Sequence, residues 1–397
     1  MEEIVSQVMD EMLTLKKPQR KFMLQLFSAF SVFIGKANFR NLSRYCQLNE
    51  KTIARWFTKS FEYFRFNMIL IFIGIGGPAE KIAAIDASFI NKSGKKTYGL
   101  GKFWNGKNSR AEKGLEISLL SIVDMGSNTA YALEARQTID LFNGTRLDLY
   151  TKQVQEAAPQ LHELGVTYLA VDSHYAKTKF IDGVCDAGLH LVGKLRCDAN
   201  LLFPYTGQYS GKGRPRKFDG KLDINQNLSR LDRAGLLEDG VEIYTGILHS
   251  RHFRRDLKVV ILRWHKGGKV GHAILYTTDI SLSAQKIVDY YKARFQIEFV
   301  FRDAKQYTGL TDFQCRHKDA IHNHINTAFT ALNLLKIEDQ RQSKPNQPNV
   351  ISIASWKRRK FNQHYMKLLF CNLGLDLNSK KVNDVFERFS NYGEIAA

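Results

Sequence analysis

Paired cysteines are missing from this chain. Its five cysteines, Cys46, Cys185, Cys197, Cys315 and Cys371, are scattered with no Cys-x2-Cys pair. That excludes a zinc ribbon, offers no disulfide framework and points to a reducing cytoplasm. Long apolar runs are missing too. The most apolar stretch, residues 68–75, is far short of the ~20 residues that span a bilayer, so it reads as core, and no membrane partner is expected. The first residues, MEEIVSQVMDEML, are acidic and amphipathic, unlike a signal peptide. There is no internal repeat and no low-complexity tract. Acidic residues are scarce: 39 Asp and Glu against 58 Lys and Arg leave a formal charge of +19 and a pI near 9.6. Such an excess calls for a polyanionic partner, most commonly nucleic acid. What is present is globular, with 44% hydrophobic and 12% aromatic residues excluding disorder. A chain of 397 residues has room for two or three structural units.

Residues 1–78 read as a helical domain, with Phe22, Leu26, Phe30 and Phe33 at helical spacing. Inside it one helix ends near Cys46, residues 47–49 turn, and Asn49 caps a second helix through Lys59. Ile53, Trp56 and Phe57 point one way, while Lys51, Arg55 and Lys59 form a basic stripe on another face. A helix-turn-helix presents such a stripe to a DNA groove. Two packed helices with a basic exterior are the competing reading.

From Lys81 the pattern changes. The apolar run 82–85 ends in Asp86 and reads as a buried strand delivering a carboxylate. Strand-like runs at 97–103 and 115–123 suggest an antiparallel meander, and 145–164 is helical in period. A second apolar run, 166–171, ends in Asp172; a helix begins near Tyr175 and another strand spans 189–195. Alone, an aspartate after a strand is more often a turn former or cap.

Residues 197–282 look like a β-rich insertion, with strands expected at 241–248, 257–264 and 270–277. It carries Lys212, Arg214, Arg216, Lys217, Lys221, Arg251, Arg254, Arg255, Lys258 and Arg263. Gly213-Arg214-Pro215-Arg216 resembles the core of a minor-groove hook, and a basic loop on phosphates is the alternative.

Residues 283–307 read as one helix of about six to seven turns. Within it Tyr291, Arg294, Glu298 and Lys305 stand at offsets 0, 3, 7 and 14 and share a face, with Arg302 on the same stripe. The plain alternative is a solvated charged face laced with pairs such as Glu298 and Arg302. However, Tyr291-x2-Arg294-x3-Glu298-x6-Lys305, preceded by two strand-end aspartates, resembles the signature of IS4-type bacterial insertion-sequence transposases. The resemblance spans roughly residues 81–336 and implies an α/β protein with an RNase H-like catalytic core, a β-rich insertion and helical ends. In that fold the first and fourth strands lie side by side, which would join Asp86 to Asp172. It further implies a DDE triad of Asp86, Asp172 and Glu298 holding two Mg2+ ions, with Mn2+ as substitute. Tyr291, Arg294, Arg302 and Lys305 would contact DNA, and Trp264 would stack on an unpaired base. For Trp264 a place in the core is the competing reading. The partners implied are double-stranded DNA, as element ends and as target, and a second copy in a synaptic homodimer at the bacterial nucleoid. The chemistry would be end cleavage and transfer of 3′-hydroxyl strands.

The domains expected are 1–78 for DNA binding, 79–196 and 283–340 for the catalytic core, 197–282 for the insertion and 341–397 for a helical tail. His317, His322 and His324 fit no metal-ligand spacing and read as structural or solvent-facing. Residues 343–350 form a proline-bearing linker, followed by the basic run Lys357, Arg358, Arg359 and Lys360 and an amphipathic helix at 382–389. Two alternatives stay open: a DNA-binding regulator without chemistry, and an RNase H-like nuclease that only hydrolyses.

Overall fold

The structure is a computed structural model and describes residues 1–76, 79–139, 141, 143–209, 211, 213–237, 239–342 and 352–394. The linker expected at 343–350 and Lys212 of the basic run lie outside the described residues. The chain opens with helices α1 (Glu2–Asp10), α2 (Lys17–Val32), α3 (Phe39–Leu42), α4 (Glu50–Trp56) and α5 (Tyr63–Ile75). Strands β1 (Lys81–Asn91), β2 (Gly101–Asn105), β3 (Arg110–Asp124) and β4 (Thr129–Thr138) follow. Next come α6 (Arg146–Glu163), β5 (Tyr168–Ala170), α7 (Thr178–Asp186) and β6 (His190–Leu195). The insertion supplies β7 (Leu201–Pro204), β8 (Phe218–Lys221), β9 (Asp232–Leu236), β10 (Glu242–Ser250), β11 (Arg255–Lys266) and β12 (Lys269–Thr277). Helices α8 (Ala284–Ala293), α9 (Gln296–Tyr307), α10 (Lys318–Gln342), α11 (Ile353–Asn372) and α12 (Lys380–Ser390) close the chain.

Two compact units result. One comprises Met1–Ala79, Ala87–Asp140 and Ile297–Ala397, the other Glu80–Asp86 and Leu141–Gln296. The residues of β1 are divided between them, 81–86 in the second and 87–91 in the first.

In the second unit β1, β5 and β6 are parallel, with Ala84 opposite Ala170 and Ala170 opposite Val192. Parallel strands are covered on both faces, and Ile82, Ala83, Ala84, Ile85, Leu169, Ala170, Leu191 and Val192 are all buried. The crossover α6 starts at a capping box in which Thr145 and Asp148 exchange side-chain and backbone hydrogen bonds. Beyond β6 the sheet continues antiparallel into β12, Leu195 facing Ile274, and on through β11, β10, β7 and β8, with β9 beside β10. The insertion is therefore hydrogen-bonded into the edge of the core sheet. A second tie joins it to α7: Arg255 pairs with Asp182 and donates to Cys185 Sγ at 2.9 Å. Helix α8, capped by Ser283, is fastened to the start of β1, where Lys286 Nζ lies 2.6 Å from Glu80 and Tyr290 donates its hydroxyl to the same carboxylate.

In the first unit β3 pairs with β2 over 110–114 and with β4 over 116–124. Gly114 sits where a side chain has no room: a Cβ there would lie 2.4 Å from the Ile90 carbonyl oxygen. Gly114→Ala should therefore destabilise the protein by about 1–3 kcal/mol, read as a lowered denaturation midpoint.

The outer edge of β4 is closed by amide side chains instead of another strand. Asn333 accepts from Ala132 N–H at 2.9 Å and donates to Ala132 O at 2.7 Å. Asn326 does the same for Ala135, at 2.8 and 2.9 Å. Between them β4 carries a bulge, since Ser121 faces Ala132 while Leu120 faces Glu134. The extra residue, Leu133, gives its carbonyl to Asn67 of α5 at 2.9 Å. The bulge shifts the outward-facing positions from even to odd numbers, which is why both asparagines, two turns apart on α10, find a partner.

Phe22, Leu26, Phe30 and Phe33 are all buried, as their spacing predicts. His324 is buried with them, its Nε2 at 2.8 Å from Gly309 O, and burial pushes its pKa down to about 4. It is a neutral core histidine.

The architecture is an RNase H-like α/β core with a β-rich insertion between Asp172 and Glu298 and helices at both ends. Three local expectations are corrected. Strand β4 is a further strand, with Ala, Glu and Arg in place of a β-branched pattern. The run 97–103 is loop until Gly101, held by Tyr98 N–H to Arg316 O at 2.9 Å. The helix expected over 283–307 is two helices.

Candidate active site

Four buried residues carry β1 to Asp86, whose side chain is 21% exposed at the point where the core meets solvent. Strand β5 does the same for Asp172. Ala84 faces Ala170 in parallel register, and each aspartate lies two residues further on, so both leave adjoining strands at the same level. Asp172 also caps the short turn Ser173–Tyr175, its Oδ1 accepting from His174 N–H at 2.8 Å. Buried Tyr175, packed on Tyr150 and Phe180, anchors that turn.

Helix α8 ends at Ala293 with Arg294 as its cap: Arg294 N–H still donates to Tyr290 O at 3.1 Å, but Phe295 N–H turns back to Lys292 O, and α9 begins at Gln296. Neither residue is a helix breaker, so the local sequence carries no signal for the break. Arg294 is 9% exposed, its guanidinium 3.8 Å from Asp86 and above the Tyr291 ring at 5.7 Å. A planar guanidinium there can hold Asp86 and still present donors to a phosphate.

In the first unit Glu298 is half-buried in the first turn of α9, where a carboxylate suits the helix dipole. Lys305, seven residues on and about 20° round the helix, donates to Ser88 Oγ at 2.7 Å, two residues past Asp86 in β1. Its side chain is exposed, yet the protein around the nitrogen holds its pKa below the lysine range. Arg302 is exposed, paired with Asp303 at 2.9 Å and stacked over Phe299 at 4.5 Å. The sequence-predicted residues thus fall on both units: Asp86, Asp172, Tyr291 and Arg294 in one, Glu298, Arg302 and Lys305 in the other.

Among the described residues no group of three or more His, Cys, Asp or Glu side chains stands together as a metal set. The two donors the second unit does bring to one level are carboxylates, the hard oxygen ligands that Mg2+ and Mn2+ favour, so they fit such an ion.

Other candidates stand apart from these. Trp264 is half-buried on β11, with its indole laid over Gly271 of β12 so closely that a Cβ there would be 2.5 Å away. Arg214 is exposed. Arg216 is exposed but engaged, with Asp219 at 2.6 Å and over the Tyr205 ring at 5.1 Å. Asn49 caps α4 as expected, accepting from Thr52 N–H at 2.8 Å. Lys51 and Arg55 are exposed on α4, while exposed Lys59 follows its end. Trp56 stacks on Phe22 at 5.1 Å and so docks α4.

Sequence reasoning missed Glu80, Tyr290 and Ser88. Glu80 is held below the usual carboxylate range by its bonds to Lys286 and Tyr290, and the Tyr290 phenol is raised by burial and then by Glu80. Only the side-chain partners reveal them.

Fold and strand ends define the class as RNase H-like. A family model described as "Transposase DDE domain" matches residues 77–334, and the chain belongs to that family. It is accordingly an enzyme of the group that cleaves and transfers nucleic-acid strands, with DNA as the substrate the family implies. No curated protein matches it in sequence. Among solved structures it is similar to the NurA nuclease from Sulfolobus solfataricus, at 10% identity over 68% of this chain and 87% of that chain. The TM-score of 0.24 is too low to support any statement about activity. No helix among the described residues is long and apolar enough to cross a membrane.

Proposed function

We propose that this chain is a transposase of the IS4 type, with Tyr291, Arg294, Glu298 and Lys305 as its signature and Asp86, Asp172 and Glu298 as its catalytic triad. It binds the terminal inverted repeats of an insertion sequence, cleaves at the element ends and joins the 3′-hydroxyl strands to target DNA. The observation that carries this reading is the matched level at which Asp86 and Asp172 leave β1 and β5, inside a chain of this family.

The triad would hold two Mg2+ ions, which when bound supply a nucleophilic oxygen and stabilise the leaving one. The chain's own residues do the rest. Arg294 steadies Asp86 and clamps a backbone phosphate with its remaining donors. Tyr291 beneath it hydrogen-bonds the strand near the cut, and Lys305 offsets charge on the phosphate as the bond breaks. Residues 1–78, with Lys51, Arg55 and Lys59 outward, read the repeats. The insertion 197–282, with Arg214, Arg216 and Trp264, grips the duplex beside the cut. Residues 79–196 and 283–340 form the catalytic body, and 341–397 the tail. Two copies act on paired ends, in the bacterial cytoplasm at the nucleoid.

The test uses a supercoiled plasmid bearing matched terminal repeats, a target plasmid and Mg2+. Cutting at the repeats with joined product supports the proposal. Binding without nicking identifies a regulator, and degradation without joining identifies a plain nuclease. Affinity for the repeats should fall at least about a thousandfold between roughly 50 and 200 mM salt, since phosphate contacts release counterions. A flat response in a filter-binding series contradicts the DNA-gripping surface.

A further inference from the structure

We propose that the cavity between the end of α2 and helix α11 binds the phosphate monoester of a nucleotide or of a DNA strand end, through Lys357 and Arg358. The cavity has a volume of about 560 Å³, enough for one nucleotide, and lies wholly within the first unit. The proposal does not rest on the triad.

Lys357 is a cation in the wrong surroundings for one. Its ammonium donates to Phe30 O at 2.9 Å and stands 3.9 Å from the centre of the Phe33 ring. The side chain as a whole is half-buried, and a carbonyl and a ring face stand against the ammonium, but among the described residues no carboxylate pairs with it. Buried charges ordinarily have a counter-ion. Burial pushes its pKa down to about 7. Arg358 beside it also lines the cavity and donates to Gly393 O. The other titratable groups on the walls are Tyr307, Tyr392 and Asp312. Asp312 is engaged elsewhere, accepting from Ala37 N–H at 3.0 Å. Two cations, one of them short of a partner, match the oxygens of a phosphate. The aromatic wall at Phe361 and Tyr392 offers a base a stacking face.

Such a site leaves a signature that helix capping by Lys357 would not. An anion arriving beside the amine raises its pKa again, so binding draws a proton from solution. At pH 8 an amine titrating near 7 is mostly neutral, and the uptake should approach about 0.9 proton per site.

The experiment is isothermal titration of the full chain at pH 8 in two buffers of different ionisation enthalpy. Sulfate comes first, because it does not titrate there and any uptake belongs to the protein. dAMP and a short oligonucleotide with either a 5′-phosphate or a 5′-hydroxyl follow. Saturable sulfate and dAMP binding with proton uptake, weakened at least about tenfold in Lys357→Met, supports the site. If the 5′-phosphorylated oligonucleotide binds more tightly than both dAMP and its 5′-hydroxyl counterpart, the natural ligand is a strand end. Equal binding of dAMP and that oligonucleotide makes it a free nucleotide. If Lys357→Met does not fold by its thermal melt, Lys357→Arg decides: binding kept with uptake gone supports the proposal, and uptake unchanged overturns it. Absent binding, binding without uptake, or equal affinity in folded Lys357→Met overturns it as well.

Discussion

With Asp86 replaced by asparagine, the proposed cleavage at element ends should fall at least about a thousandfold, while affinity for the repeats should stay within about threefold. The amide keeps the shape of the side chain and removes its charge. Metal-assisted stabilisation of the transition state amounts to several kcal/mol, and each ~1.4 kcal/mol is a decade in rate. Asp172→Asn is the cleaner probe of the pair. An asparagine oxygen still accepts from His174 N–H, so the cap survives and what is lost is chemistry. Asp86→Asn also leaves Arg294, 3.8 Å away and 9% exposed, facing a neutral group, so a melting curve must accompany it. Glu298→Gln completes the set on α9. One variant of the three that cuts at the unmodified rate in Mg2+ removes its residue from the triad.

Replacing Asn333 with leucine should destabilise the protein by about 2–5 kcal/mol, because two buried backbone groups lose their partner at once and each orphan costs about 1–3 kcal/mol. The number and branching of the side-chain heavy atoms are kept, so the loss reports chiefly hydrogen bonding. Asn326→Leu should behave alike, and the double variant should be close to additive, since the two clasps lie about 10 Å apart along α10. Guanidinium unfolding measures the midpoint, and hydrogen exchange at the Ala132 amide localises the effect. A loss below about 1 kcal/mol for Asn333→Leu would mean that other groups satisfy this edge and that the asparagines do not close it.

The strands that carry Asp86 and Asp172 were legible because their signal is local. The runs 82–85 and 166–171 are apolar and end in a carboxylate, and adjacency of the first and fourth of the expected strands follows from the RNase H-like order. Asn49 was legible by the same kind of rule, as a capping residue before an apolar helix. Strand β4 was not, because its stability is borrowed. Its outer edge is completed by Asn326 and Asn333, about two hundred residues later, and nothing in TAYALEARQT announces that. The break at Arg294 and Phe295 was hidden for the opposite reason, since both residues are acceptable within a helix. Glu80 was overlooked because a single carboxylate before a strand is unremarkable until Lys286 and Tyr290 are seen upon it.

The tie from Glu80 to Lys286 spans 206 residues, and that distance has a consequence for timing. A ribosome adding about 5–20 residues per second takes roughly 10–40 s to cover it. Throughout that interval β1 has emerged without the helix that fastens it, and Asp86 waits for Arg294. A polypeptide released early, anywhere inside the insertion, carries both strand-end aspartates but never acquires the arginine. On the proposed reading, such incomplete products would hold DNA through their first helices and lack the clamp needed to cut it.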